Sequence, residues 1–173
     1  MMGSLRILLL MAAALLAGCG FQPLYGETAS QGPRANELAS IEVAPIADRL
    51  GQQVRNRLEE TLTPLGPPGA ALYRLEVTLT KTVQGFGFRR DESVTRENLR
   101  LEAAYRLIRL GTAKPVLEGT ARSNVAYDVV RSDFANLSAR EDAEERTAEQ
   151  LVAILANRLS LHFLKSRSGQ GRD

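Results

Sequence analysis

A single cysteine, Cys19, stands in "LLAGCGFQPLYG", where an oily N-terminal run gives way to polar chain. Cysteine chemistry divides into nucleophilic attack, metal ligation, disulfide formation and acylation, and each needs different neighbours. One cysteine closes no disulfide within the chain. With His162 as the sole histidine, there is no Cys/His set at metal-ligand spacing either. Thiol catalysis is disfavoured because Cys19 follows an apolar run that would have to be dismantled to expose it. What fits the local order is acylation. Arg6 supplies a charged start, Ile7 to Leu16 an apolar middle, and Ala17 and Gly18 a small-residue cleavage site, the anatomy of a signal peptide. The run is shorter than the roughly 20 residues a membrane-spanning helix needs.

Leu16-Ala17-Gly18-Cys19 resembles the bacterial lipobox, whose processing cleaves before the cysteine and attaches lipid to it. The expectation is therefore a signal peptide over residues 1–18 and a covalent lipid on Cys19, with no other cofactor and no metal. Several acyl chains would hold the mature chain firmly, since a single chain gives only marginal binding. Gly20 is not the aspartate that retains many enteric lipoproteins at the inner membrane, which points to the outer membrane.

Other chemistry is thinly supplied. Carboxylates crowd "EDAEE", but a helical charge run is usually a solvated face, and no serine or histidine partner suggests acid-base work. The chain contains no HExxH, no GxSxG and no phosphate-cradling glycine loop, so an enzyme is not expected. His162 reads as a packed or rim histidine. One constellation does bring unlike groups together: Phe86, Phe88, Arg89 and Arg90 are consecutive or alternate in "GFGFRR", with Arg96 and Arg100 following. Guanidinium groups bind phosphate bidentately. The competing reading is a solvated hairpin tip whose phenylalanines tuck under a sheet while Asp91 and Glu92 neutralise the arginines.

Without residues 1–18 the basic and acidic residues nearly balance, 21 against 20, and 155 residues remain, one domain's worth of chain. A near-neutral domain offers no concentrated basic stripe, so nucleic acid is not an expected partner. A chain this long buries enough surface to fold without disulfides or metal.

The elements follow from periodicity. Residues 19–37 form the lipidated N-terminus and a tether, poor in apolar pattern. "SIEVAPIADR" gives a first short strand stopped by Pro45, and Asp48 stands where an N-cap belongs. Leu50, Val54, Leu58 and Leu62 recur every fourth residue, one buried helix face, which Pro64 and "GPPG" terminate. The period then falls to two. Tyr73, Leu75, Val77, Leu79 and Val83 form one strand. Beyond a loop, "QGFGFRRDES", Leu99 to Leu107 form another, and Leu117 to Val129 a third, the last two joined by "GTAKP". From about Asp133 to Lys165 the helical period returns, with Ala148, Leu151, Val152, Leu155 and Leu159 on one stripe. Residues 167–173 read as a disordered tail.

Strand, helix, three strands, helix defines an α+β domain over residues 38–166: a two-layer sandwich with a four-stranded, mostly antiparallel sheet and both helices on one face. The other face carries Thr78, Thr80, Thr82, Arg100, Glu102, Arg106, Thr120, Arg122 and Asn124. It must meet either water or a polar partner.

"CGFQPLYG" together with "YDVVRSDFANLSAREDAEERTAEQLVAILANRLSLHF" resembles the lipopolysaccharide-assembly lipoproteins of the LptE family, in their alphaproteobacterial form. The resemblance covers both ends of the mature chain, and the middle agrees in element order. It implies an outer-membrane lipoprotein that sits inside the β-barrel translocon LptD, helps that barrel assemble, and contacts lipopolysaccharide during its insertion into the outer leaflet. The mature domain would then lie on the periplasmic side or within the barrel lumen. On that implication Thr78, Thr80, Arg106, Thr120, Arg122 and Asn124 become candidates to face the barrel. Arg89, Arg90, Arg96, Arg100, Phe86 and Phe88 become candidates to bind lipopolysaccharide, through phosphate and acyl chain. The alternative is an auxiliary lipoprotein of a periplasmic, ABC-type lipid-transport system, which would share the anchor and a similar domain.

Overall fold

The computed structural model describes residues 37–64, 70–88, 94–112 and 114–170, without the side chains of Phe88 and residues 167–170. The expected signal peptide, Cys19, the tether up to residue 36, Arg89 and Arg90 lie outside the described residues. Along the chain come β1 (Ile41–Val43), α1 (Asp48–Leu62), β2 (Tyr73–Phe88), β3 (Val94–Arg109), β4 (Pro115–Asp128) and α2 (Asp133–Gln170). The four strands form one open sheet whose spatial order is the chain order. β1 pairs parallel with β2, because α1 carries the chain back between them, whereas β2, β3 and β4 form an antiparallel meander. This is the expected α+β architecture, with helices on one face.

That arrangement follows from where the apolar residues fall. On β2 to β4 the odd-numbered positions turn towards the helices, so Leu75, Leu101, Leu107 and Ala121 are buried beneath Leu151, Leu155 and Leu159 of α2. Val54, Leu58 and Leu62 of α1 join the same core, with Ile41 and Val43 of β1, while Leu50 packs at its margin. Each fully buried leucine stabilises the fold by about 1.5–3 kcal/mol relative to exposure. A second, smaller cluster of Leu99, Val125, Tyr127 and Ala143 lies farther along the sheet.

Three details differ from expectation. Asp48 does not cap α1: it is the first helical residue, at φ 68, and the flanking Ala47 makes no capping bond. The chain turns into the helix so tightly that a Cβ on Gly51 would stand 2.7 Å from Ile46 Cγ2 and 3.0 Å from the Ile46 carbonyl. Glycine is what allows that crossing. Second, "QGFGF" is strand and not loop, since the β2–β3 ladder runs in unbroken register from Tyr73↔Arg109 to Phe86↔Arg96 and closes at Phe88↔Val94. Phe86 therefore does not tuck under the sheet. Third, α2 stays helical past Lys165 to Gln170, into the segment expected to be disordered, and is about 57 Å long at 1.5 Å per residue.

The helix layer is shorter than the sheet on one side. α1 packs on β1 and against α2, while α2 runs along β3 and β4. From Lys81 to Gly87 every residue of β2 is exposed. Val83, placed by its period on the covered face, keeps 40% of its surface because no helix reaches it.

Candidate functional site

The even-numbered positions of the three long strands point away from both helices, and their register sets them in rows. Glu76–Arg106–Glu118 is followed by Thr78–Ala104–Thr120, Thr80–Glu102–Arg122, Thr82–Arg100–Asn124 and Phe86–Arg96–Asp128. Side chains directly across a ladder are about 5 Å apart, so each row is a line of contact. Thr78, Thr80, Arg106, Thr120, Arg122 and Asn124 are all exposed on this face. The six residues that the sequence offered as candidates to face a barrel thus lie on one continuous surface.

Its electrostatics are ordered. Arg122 donates from Nε to Glu102 Oε2 at 2.6 Å and from Nη2 to Oε1 at 3.4 Å, a forked pair across β4 and β3. The Arg122 hydrogen bond, helped by its charge and that of Arg100, holds the Glu102 carboxyl below the ordinary glutamate range, and Glu102 in turn raises Arg122. Arg96 pairs with Asp128 at 2.9 Å. Arg100 makes no ion pair among the described residues and stands between Thr82 and Asn124. The small Ala104 leaves a dip beside Arg106, Glu118 and Thr120, an open depression of about 550 Å³.

Of the residues proposed for lipopolysaccharide, Phe86, Arg96 and Arg100 lie on this same face towards the far end of the β2–β3 hairpin. Phe86 is 41% exposed, directly across from Arg96. The backbone of Phe88 pairs with Val94, while Arg89, Arg90 and the Phe88 side chain lie outside the described residues. The two candidate sets therefore merge into one surface, its hydroxyl-rich middle grading into an aromatic and cationic end. His162 is partly buried with its ring 5.4 Å from that of Phe163, at the rim of the core. Among the described residues no three His, Cys, Asp or Glu side chains gather where a metal could sit.

The sequence reading missed one cluster. Tyr127 OH donates to Glu97 Oε2, and Arg140 of α2 donates from Nε to Tyr127 OH at 3.2 Å while its Nη2 lies 3.5 Å from Glu97. Burial, and then the Glu97 hydrogen bond, push the Tyr127 phenol up. The available signal was Glu97, a charge at a position whose parity belongs to the covered face. A second clasp, Lys81 Nζ to Glu144 Oε1 at 2.8 Å, ties α2 to β2.

These elements define the class of two-layer α+β domains with one whole sheet face left bare. The family model for LptE, described as lipopolysaccharide-assembly, matches residues 38–159, and the chain belongs to that family. An uncharacterized protein of Rickettsia prowazekii (strain Madrid E) is 27% identical over 160 residues, covering 92% of this chain and 98% of that protein. Among solved structures, the fold is similar to a candidate lipoprotein of Caulobacter crescentus CB15. That match has a TM-score of 0.62 and 24% identity, over 78% of this chain and 98% of the other. A minor lipoprotein of Acinetobacter baumannii matches with TM-score 0.57 at 14% identity, over 71% and 92% of the two chains. The rare lipoprotein B of Shewanella oneidensis matches with TM-score 0.51 at 12% identity, over 76% and 98%. Among the described residues no helix is long and apolar enough to cross a membrane.

Proposed function

We propose that this chain is an outer-membrane lipoprotein, anchored by lipid on Cys19, that plugs the LptD barrel, assists its assembly and contacts lipopolysaccharide as it passes to the outer leaflet. Its role is to bind and position, not to catalyse. The observation that carries this reading is the open sheet face from Thr78 to Asn124, whose rows of hydroxyl, amide and paired charge are left bare by both helices. The interior of a large transmembrane barrel is polar, so a plug must offer hydrogen-bonding groups to it and keep its own apolar surface elsewhere. The folded domain keeps Leu75, Leu99, Leu101 and Leu107 of its strands buried on the opposite, helix-covered side of the sheet. Family membership supplies the lipopolysaccharide-assembly context.

Arg96 and Arg100, with Arg89 and Arg90, supply guanidinium groups suited to phosphate, and Phe86 supplies an apolar neighbour for an acyl chain. The test is a photoreactive residue at Thr80 or Arg122 in living cells, followed by identification of the adduct. An LptD adduct is the expected result. An adduct with a periplasmic transport component and none with LptD would overturn the plug reading in favour of the transport-system lipoprotein.

A further inference from the structure

The sheet has two edges, and the chain treats them differently. β4 begins at Pro115, which has no N–H to offer, and its Thr120 carbonyl accepts a hydrogen bond from Arg158 of α2 at 2.5 Å. Among the described residues the β2 edge is covered only at its start, where β1 pairs with Tyr73 to Leu75. There Tyr73 N–H donates to Ser40 O at 3.2 Å and Ala44 N–H to Leu75 O at 2.9 Å, so the odd-numbered residues of β2 aim their amides outward. In a regular strand this alternation persists, and the register with β3 is unbroken to Phe86. The outward N–H and C=O groups of Leu79, Lys81, Val83 and Gly85 accordingly have no protein partner among the described residues. Lys81 is the one charge on this run, and it is turned aside onto Glu144. A long edge without proline and with its lysine engaged elsewhere is a template for strand addition.

The space beside that edge has matching chemistry. On the helix side lies a cavity of about 260 Å³ lined by Leu50, Leu79, Leu101, Lys81 and Glu144 among others, and beyond it the exposed Val83. On the other side stand Thr80, Thr82 and Gln84, all exposed. A strand laid along β2 would alternate apolar residues over the cavity and Val83 with polar residues in line with the threonines.

We propose that an extended segment of the barrel partner adds to β2 between Leu79 and Gly85 as a fifth strand, a contact that rests on the plug reading above. The wall of a closed barrel has no free edge to give, so the segment comes from one of the barrel's loops or termini. Strand addition fixes the rotation of the plug, because it pins one edge of the sheet while the polar face meets the wall.

The experiment is hydrogen exchange on the full lipidated chain, alone and co-purified with LptD. Alone, the amides of Leu79, Lys81, Val83 and Gly85 exchange rapidly; in the complex they slow by about tenfold or more, the equivalent of one hydrogen bond near 1.4 kcal/mol. Val83→Pro removes an outward N–H without touching the ladder to β3 and weakens the complex by about tenfold. Val83→Lys, which leaves the backbone intact, does the same by charging the edge. A complex that forms with these amides still rapid overturns strand addition and leaves the plug reading standing. Failure to form any complex with LptD overturns both. Protection that rises with the concentration of the chain alone assigns the edge to a second copy and overturns the proposal.

Discussion

Arg122 and Glu102 face each other across β4 and β3 with two hydrogen bonds, at the centre of the sheet's bare side. An exposed pair of this kind contributes little to stability, because water screens it and two long side chains must be held in one geometry. On the function proposed above, its value is that each side chain holds the other in place, so that the remaining guanidinium N–H groups and carboxylate lone pairs are presented in fixed positions. Arg122→Ala is therefore expected to leave the melting temperature nearly unchanged and to weaken capture of LptD.

The same pair has a defined pH window. Because Arg122 lowers the Glu102 carboxyl, the folded chain binds that proton less tightly than the unfolded chain. The contribution is fully present above the ordinary glutamate value of 4.5 and is lost as pH falls through the lower folded value. Carboxyl chemical shifts followed by NMR should show Glu102 titrating below 4.5, and returning towards that value in Arg122→Ala.

Gly51 offers a sharper stability test. Replacing glycine by alanine within a helix ordinarily gains up to about 1 kcal/mol. Here the new Cβ would press on Ile46 at 2.7 Å, with backbone at 3.0 Å behind it. Overpacking costs about 1–3 kcal/mol, so steric conflict outweighs propensity and Gly51→Ala should lower the midpoint of urea unfolding.

The element order and the two faces of the sheet were legible in the sequence because period two and period 3.6 are local properties. Leu75, Val77 and Leu79 alternate whether or not a helix lies above them. What lay beyond reach depends on other elements. Val83 continues that alternation, yet it is bare because no helix lies over it, and where a helix lies on the sheet is set by packing between elements and not by a local pattern. "QGFGF" has the glycines of a turn, and only pairing with β3 makes it strand. Glu97, Tyr127 and Arg140 come from three elements, and no spacing within one of them announces the cluster.

That cluster yields the next prediction. Tyr127→Phe removes the hydroxyl that links Glu97 to Arg140 and should cost about 1 kcal/mol, the net worth of one hydrogen bond. The Tyr127 phenol is raised above its ordinary value of 10.0 in the fold. Its contribution is thus complete below that value and is lost as pH rises through the folded value. The stability gap between wild type and Tyr127→Phe, measured by urea unfolding, should narrow above pH 10.

Leu155 and Phe134 lie on the same helix and predict opposite outcomes. Leu155 is fully buried between α2 and the sheet, and truncating such a leucine costs about 2–5 kcal/mol. Phe134 is 81% exposed, so Phe134→Ser should change stability by no more than about 0.5 kcal/mol. Thermal melts of the two variants check the placement of α2 directly.

The final prediction separates the two ends of the open face. Arg96 stands directly across from Phe86 near the hairpin tip and Arg100 lies two rows further in, opposite Thr82, whereas Arg74 lies at the far end of β2, 3.9 Å from Glu42. If phosphate is recognised by the guanidinium that no carboxylate engages at this end of the face, Arg100→Ala should weaken lipopolysaccharide binding about tenfold, the worth of one charge-assisted hydrogen bond. Arg96→Ala should do less, since Asp128 already engages that guanidinium at 2.9 Å. Arg74→Ala should leave affinity unchanged. The ordering also predicts a salt response, because raising ionic strength screens exposed charge and should reduce the wild-type affinity towards that of Arg100→Ala. Equal losses from Arg74 and Arg100 would mean a diffuse attraction with no site at the tip, and the aromatic end would then be a surface for the barrel wall alone.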